Sequence, residues 1–238
     1  MAVGPMDGNT WRRYRCITER GAEPVFFLEP DNPDDLPLHF TAEGFVALAT
    51  YTSALDSDLS SESSGTRGRI SAIAEHVSRM GITIRQASAD HMEAEMHRIL
   101  AVSLRSFQNN FLYTPIREQE FLSQYGKLLP LVRQEFVLLA ERHSIPIGFV
   151  FGVPDALRIK RGERDDTVII KTVAVVPECA SAGLGTLLVC RIREIARDLG
   201  YTRCIHALMH ESNHSRNISA KTASTMRRYT LFARQLRS

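Results

Sequence analysis

The sequence predicts an α/β (α+β) fold, a mixed central sheet flanked by helices, and three observations carry that expectation. Residues 167–176 form a near-continuous apolar run rich in β-branched side chains, the composition of a strand buried on both faces. Directly after it, Leu184, Leu188, Ile192, Ile195 and Leu199 recur at helical spacing, and Gly200 stands in the C-terminal capping position. Residues 136–140 and 147–153 are two short apolar runs joined by the sequence ERHSIP, the pattern of a hairpin.

The other elements follow in order. Pro5, Gly8 and Asn9 signal a turn near the start. Residues 25–30 (VFFLEP) read as a short strand or extended segment, and residues 31–37 carry turn and helix-start signals. A short helix-like piece ends at Glu43-Gly44-Phe45, and residues 45–53 read as a strand. Residues 56–69 (DSDLSSESSGTRGR) have the composition of a linker, followed by a short helix over 70–80. A strand over 81–86 precedes a helix capped by Asp90 and running to about residue 107, with Met92, Met96, Ile99 and Leu100 on its apolar face. Residues 108–115 are a loop holding Phe111 and Tyr113, and 117–126 a second helix. Beyond the hairpin, residues 160–166 form a charged surface loop. Pro177 ends the strand over 167–176. After the long helix come a strand over 202–209, a helix over 216–225 that Ser215 could cap, and a final strand over 227–236.

A chain of 238 residues suits one domain of ordinary size, or one plus a fragment. Its 44% hydrophobic and 24% charged content is that of a soluble globular protein. The net charge of +2, with Lys and Arg spread along the chain, gives no case for nucleic acid. No apolar run reaches membrane-spanning length and no signal-peptide core is present, so a cytoplasmic location is the default expectation. Cys16, Cys179, Cys190 and Cys204 include no C-x-x-C pair, so neither a metal site nor a disulfide framework is expected.

The chemistry concentrates between the 167–176 strand and the long helix. A strand, a glycine-containing turn and a helix start together make an anion site, because free N–H groups and the helix dipole point out of the first turn. Gly183 and Gly185 would let a phosphate approach the backbone. With neither G-x-x-x-x-G-K-[ST] nor a full G-x-G-x-x-G in the chain, P-loop and dinucleotide readings are set aside.

Those residues carry a resemblance. The segment resembles the acyl-CoA-binding stretch of the GNAT (acyl-CoA N-acyltransferase) superfamily, whose motif [QR]-x-x-G-x-[GA] follows a V-x-P strand end. The matching residues are 180–185, with both glycines present and Ala180 in place of Gln or Arg. The order of predicted elements over about residues 81–236 is similar to that family's. The resemblance implies that the strand backbone at Val173, Ala174 and Val175 pairs with a pantetheine arm. It implies that the N–H groups of Ser181, Ala182, Gly183, Leu184, Gly185 and Thr186 hold the pyrophosphate of acetyl-CoA or another acyl-CoA. Asn213 resembles the family's Asn that touches the pantetheine. The expected organisation is residues 1–55 as the closing half of a second unit of the same kind, or as an N-terminal extension. Residues 56–80 would be the linker and short helix, and residues 81–238 the acyltransferase domain.

Strand alternation over 202–209 would place Cys204, His206, Leu208 and His210 on one face. In the resembled fold this strand splays from residues 173–176 and the thioester lies between them, which makes His206 and His210 candidates for proton transfer. The helix over 216–225 lacks the family's frequent Tyr, leaving Tyr229 as the candidate to protonate the departing thiolate. The strand before the turn offers Lys171 and Thr172 where the family often has a Glu, and a lysine serves as a base only where burial lowers its pKa. Phe111 and Tyr113 are candidates for the acceptor pocket. The function implied is acyl-CoA-dependent N-acyl transfer, most simply N-acetyl transfer, to a small-molecule or peptide amine, with no metal and with a homodimer left open. Two alternatives stand beside it. One is a malonyl or methylmalonyl thioester decarboxylase, or S-acyltransferase, built on Thr172 and His206. The other is a non-catalytic CoA-binding module, to which Ala180 and the missing Tyr and Glu point.

Overall fold

The computed structural model describes residues 1–60, 64–211 and 223–236. The N-terminal segment supplies β1 (Ala2–Gly4), β2 (Cys16–Glu19), α1 (Leu36–Ala42) and β3 (Val46–Asp56). Then follow α2 (Ser64–Arg79), β4 (Ile82–Gln86), α3 (Met92–Ser106), α4 (Glu118–Gly126), β5 (Val137–Arg142), β6 (Ile145–Pro154), α5 (Ala156–Lys160) and β7 (Thr167–Val175). α6 (Leu184–Asp198), β8 (Arg203–His210) and β9 (Ser224–Arg234) complete the described elements. The nine strands of the described residues form one sheet in the order β1-β9-β3-β8-β7-β6-β5-β4, with β2 also on β9. Every pairing is antiparallel except β7–β8. This is the mixed sheet flanked by helices that the sequence predicts.

The central elements form for the reasons read in the sequence. α6 turns Leu184, Leu188, Ile192 and Ala196 inward, all fully buried, and packs them on the sheet beside Val168 and Ile170 of β7. Each of the leucine and isoleucine side chains stabilises the fold by about 1.5–3 kcal/mol through the apolar area it removes from water. β3 sits between β8 and β9, with Ala54 opposite His206 and Tyr51 opposite Tyr229. The sheet therefore runs across the sequence boundary drawn at residues 55 and 56.

Three expectations are corrected. Residues 25–30 are not a strand: the chain turns there, Leu28 has a φ of 65°, Phe26 is buried against Val153, Ile169 and Ile205, and Glu29 points inward. Burying the apolar side chains as a plug satisfies the same pattern a strand would. The linker composition of 56–69 does not end where the helix begins, because α2 starts at Ser64. Packing of Ile70, Ile73, Ala74 and Val77 on the main core overrides the weak helix propensity of Ser and Gly. Of the helix expected over 216–225, Ser224 and Thr225 belong to β9, and residues 216–222 lie outside the described residues. β1 and β2, of three and four residues, are too short to show a period in sequence.

Two irregularities shape the sheet. β7 and β8 pair in parallel only from Thr167↔Arg203 to Ile170↔His206. Beyond that point β7 carries a bulge, since Thr172 faces Phe151 and Ile170 faces Gly152, leaving Lys171 without an opposite residue. β8 bulges where Leu208 adopts a φ of 58°, between the pairs Ala54↔His206 and Thr52↔Met209. The Leu208 N–H donates to Ser53 Oγ at 3.2 Å, which fixes that kink.

α6 begins at Gly183, whose φ of 74° is left-handed and whose added Cβ would sit 3.1 Å from Ile73 Cγ2 of α2. Gly185 is different: a Cβ there would rest 3.9 Å from Val173 and Val175, an ordinary contact. Gly183→Ala is therefore expected to lose about 1–2 kcal/mol of stability, the cost of a left-handed L-residue. Gly185→Ala is expected to change stability by about 0.5 kcal/mol or less, as a neutral substitution in a helix's first turn. Urea unfolding of the two variants checks this, and equal losses would overturn it.

Candidate active site

The parting of β7 and β8 opens the sheet at one place. A cleft of about 860 Å³ meets β7 at the bulge, through the side chains of Lys171 and Thr172. α3 contributes Met96 and Ser103 to its walls, the loop after α3 contributes Phe111 and Tyr113, and β8 contributes Leu208 and His210. The N-terminal segment closes the remaining side with Trp11, Arg15 and Glu29.

Beside the cleft lies the segment that the sequence offers as an acyl-CoA cradle. Beyond Ile170 the edge of β7 that faces β8 is no longer paired with it, so the backbone at Val173, Ala174 and Val175 is open to an extended ligand. A short helical turn, Pro177–Ala182, leads into Gly183, and Leu187 N–H is bonded to Gly183 O at 3.0 Å. The N–H groups of Leu184, Gly185 and Thr186 precede the first intrahelical bond, so they point out of the helix end toward the strand edge. The open strand edge thus adjoins the start of a helix of 15 residues, about four turns. Gly183 is required by its backbone conformation and by Ile73, whatever else the turn holds. Asn213 lies outside the described residues.

The candidate proton-transfer residues separate. The bulge at Leu208 interrupts the alternation of β8, so His206 and His210 do not share a face. Leu208 and His210 line the cleft. His206 packs on the α6 side, 4% exposed, 3.8 Å from Cys204 Sγ and near Arg193. Burial, then the Arg193 charge, pushes its pKa down to about 3, so it stays neutral. His206 does not line the cleft that Thr172 opens into, and the Thr172–His206 arrangement of the decarboxylase reading is not assembled. His210 is half-buried, its ring 4.9 Å from Tyr51 and 6.1 Å from Phe111, and burial followed by the Arg15 charge lowers its pKa. Tyr229 is fully buried beneath the cleft, with its hydroxyl 3.0 Å from Ser53 Oγ and donating to Glu29. Desolvation and the Glu29 charge raise its pKa, so it holds Glu29 in place rather than facing a thiolate.

The charged groups that do reach the cleft come mostly from sequence that carried no signal. Lys171 Nζ donates to Leu28 O at 3.2 Å. Its surface is only half-covered because it opens into the cleft, but the walls still strip its water, and its pKa falls to about 7. Desolvation is the larger cause, the Arg15 charge adds to it, and Glu29 opposes it. Glu29 pairs with Arg227 Nε at 2.7 Å, both side chains fully buried, and burial raises its pKa. Arg15, Glu29 and Tyr51 belong to segments with no motif, and only the turn after residue 19 and the register of β3 bring them here.

The profile of the Acetyltransferase (GNAT) family matches residues 97–218, about half of the chain, and the chain belongs to that family. The matched region runs from within α3 to beyond β8 and so includes β7, the glycine turn and α6. Among solved structures it is similar to a glucosamine N-acetyltransferase region of a fungal multi-domain β-N-acetylglucosaminidase, with a TM-score of 0.59 and 14% identity over 82% of this chain and 22% of that one. It is likewise similar to a GCN5-related N-acetyltransferase from Sphaerobacter thermophilus, with a TM-score of 0.58 and 13% identity over 84% of this chain and 55% of that one. The chain spans about a fifth and about half of those two proteins, and at such identities the likeness is one of fold. No curated protein matches the sequence. No helix among the described residues is long and apolar enough to cross a membrane.

The burial of His206 has a consequence for stability. The folded chain keeps it neutral down to about pH 3, whereas the unfolded chain protonates it near 6.5. The unfolded state then binds more protons between those values. The contribution is complete above about pH 6.5 and declines as pH falls toward 3, by up to about 1.4 kcal/mol per pH unit. His206→Gln should remove that part of the acid slope and leave the pH dependence of turnover unaltered. Urea unfolding between pH 7 and 4, beside a pH–rate profile, checks both; a lost kinetic limb would return His206 to the mechanism.

Proposed function

We propose that the protein is an acetyl-CoA-dependent N-acetyltransferase for a small-molecule amine, and that Lys171 takes the proton the amine loses. The observation that supports this most is the place where the cleft meets β7: the bulge residue at the head of the open strand edge. An acyl-CoA laid along that edge, with its diphosphate at the start of α6, would bring its thioester to Lys171 and Thr172. An amine entering from the cleft would meet the thioester carbonyl there. Binding both reactants side by side supplies most of the acceleration expected of such a site.

The nitrogen–carbon bond forms as the carbon–sulfur bond breaks. The proton released from nitrogen passes to neutral Lys171, and the resulting ammonium can return it to the sulfur. A lysine serves as a base at neutral pH only when its ammonium is destabilised, and desolvation together with Arg15 does so here. Lys171 thus stands for the carboxylate that the sequence lacks on this strand. His210 is a second cleft group, its pKa lowered by burial and by Arg15.

Lys171→Met is expected to lower kcat/KM by about a hundredfold or more, the usual scale for losing a general base, while the acetyl-CoA Kd stays the same. In the parent, kcat/KM should rise with pH through about 7, as Lys171 loses its proton, and that limb should vanish in the variant. Lys171→Arg should not restore it, since a guanidinium keeps its proton. Steady-state kinetics from pH 6 to 9 with calorimetric titration of acetyl-CoA make the test. Tight CoA binding with no transfer to a broad panel of amines would replace this reading with that of a CoA-binding module.

A further inference from the structure

Among the described residues, no carboxylate pairs with the buried guanidinium of Arg15. It is 8% exposed, and its Nε and Nη1 atoms are buried with no hydrogen-bond partner. Its guanidinium carbon lies 4.0 Å from the ring centroids of both Tyr14 and Tyr51. Two ring faces stabilise the charge, but they do not replace the oxygen acceptors that a guanidinium's N–H groups require. The nearby carboxylate, Glu29, is already committed: it pairs with Arg227, accepts from Tyr229, and accepts from the Phe26 N–H at 3.2 Å. Arg227 balances Glu29, so the charge of Arg15 is left over. The other basic groups at this end of the cleft, Lys171 and His210, both feel it as a repulsion.

The backbone also holds Arg15 deliberately. Its φ of 64° is left-handed, an unfavourable conformation for a long side chain, and its N–H is tied to Pro5 O at 2.8 Å. A guanidinium cannot escape burial by losing its proton, and an uncompensated buried charge is costly. Strain and an unmatched charge at a cleft wall together indicate that the missing anion arrives with the ligand. The planar fork of an arginine suits a carboxylate. Part of the cleft wall is apolar and aromatic, with Trp11, Met96, Ile99, Phe107 and Phe121 among its lining residues.

We propose that Arg15 binds a carboxylate of the acceptor, so that the amine is an amino acid with an apolar side chain. The proposal rests on the transferase reading for the identity of the acceptor, but not for the carboxylate site itself. It gives the cleft one orientation: carboxylate on Arg15, amine toward Lys171, and side chain among the aromatic residues. A bound carboxylate would neutralise Arg15 and relieve its repulsion of Lys171, making that lysine a stronger base when the acceptor is in place.

The test compares phenylalanine with phenylalaninamide, which keeps the amine and the ring and removes the charge. Calorimetric titration of the full chain, with and without CoA, reads binding independently of turnover. Phenylalanine should bind at least about tenfold more tightly than its amide, since the amide leaves the buried guanidinium unmatched. Arg15→Gln should erase that preference, and Arg15→Lys should retain part of it. Because the variant loses an unmatched buried charge, the Tm of Arg15→Gln should stay level or rise; a marked fall would assign Arg15 to the fold and overturn the proposal. Equal binding of acid and amide by the parent would also overturn it, even if acetyl transfer to both were efficient. Carboxylate-selective binding without transfer would sink the transferase reading and leave the Arg15 site standing. A second arm replaces acetyl-CoA by succinyl-CoA with phenethylamine as acceptor. An Arg15-dependent preference for the succinyl donor, with no preference between acid and amide, would put the carboxylate on the acyl group and overturn the acceptor assignment.

Discussion

The separation of β7 from β8 after Ile170 and His206 is the constraint on which the site depends. Parallel strands that stayed paired to their ends would leave no free backbone edge and no cleft. Each strand departs from its neighbour through a bulge, at Lys171 in β7 and at Leu208 in β8. A bulge bends its strand and re-aims the side chains beyond it. One pair of irregularities therefore does two things. It frees the edge along which a pantetheine can lie, and it turns Lys171, Leu208 and His210 into the opening.

β3 holds the far side of that opening in place. It pairs with both β8 and β9, so the strand that diverges from β7 is not a free edge. Ser53 of β3 is the pivot: its hydroxyl accepts from Leu208 N–H at the kink and lies 3.0 Å from the Tyr229 hydroxyl. Through Tyr229 the same contact reaches Glu29 and Arg227. Buried polar groups are tolerable when they have partners, and these contacts give Ser53, Tyr229 and Glu29 theirs. It also anchors the loop after β2, because Arg227 donates to the carbonyls of Arg20, Glu23 and Pro24. The wall of the cleft and the bend of its floor are thus parts of one hydrogen-bonded unit.

How much of this was legible in the sequence depends on the range of the interactions involved. β7, the glycine turn and α6 form a local unit whose apolar periods are set by burial against one layer, so their order could be read directly. The two histidines could not be sorted that way. Alternation assigns His206 and His210 to one face, and a single extra residue at Leu208 reverses the second. Nothing in TRCIHALMH marks the bulge, since the side chain that fixes it, Ser53, comes from a strand about 150 residues earlier. Tyr229 was found as a group near the site but not as a second layer behind Glu29. Arg15 and Glu29 carried no signal because a buried charge is recognised only by what surrounds it. Lys171 was visible as a residue in an unexpected place, and the burial that gives it a use was not.

The two ends of the cleft differ in what fixes them. The turn before α6 is backbone, and its geometry follows from a strand end and a helix start, so it does not depend on which side chain stands at Ala180. The acceptor side is made of side chains carried by the N-terminal segment and by the elements it touches. Trp11 Nε1 donates to Thr114 O at 2.7 Å, Gln124 donates to Trp11 O at 2.7 Å, and Arg12 pairs with Glu120. These bonds clamp residues 11 and 12 onto α4 and the loop before it, while β2 ties the next residues to β9. Residues that precede the family's matched region, 97–218, therefore form one wall of the cleft. Specificity in a shared fold resides in such variable segments. What is packed across from β7 can change without altering the strand end and helix start, and in this chain that wall carries Arg15, whose buried Nε and Nη1 have no hydrogen-bond partner among the described residues.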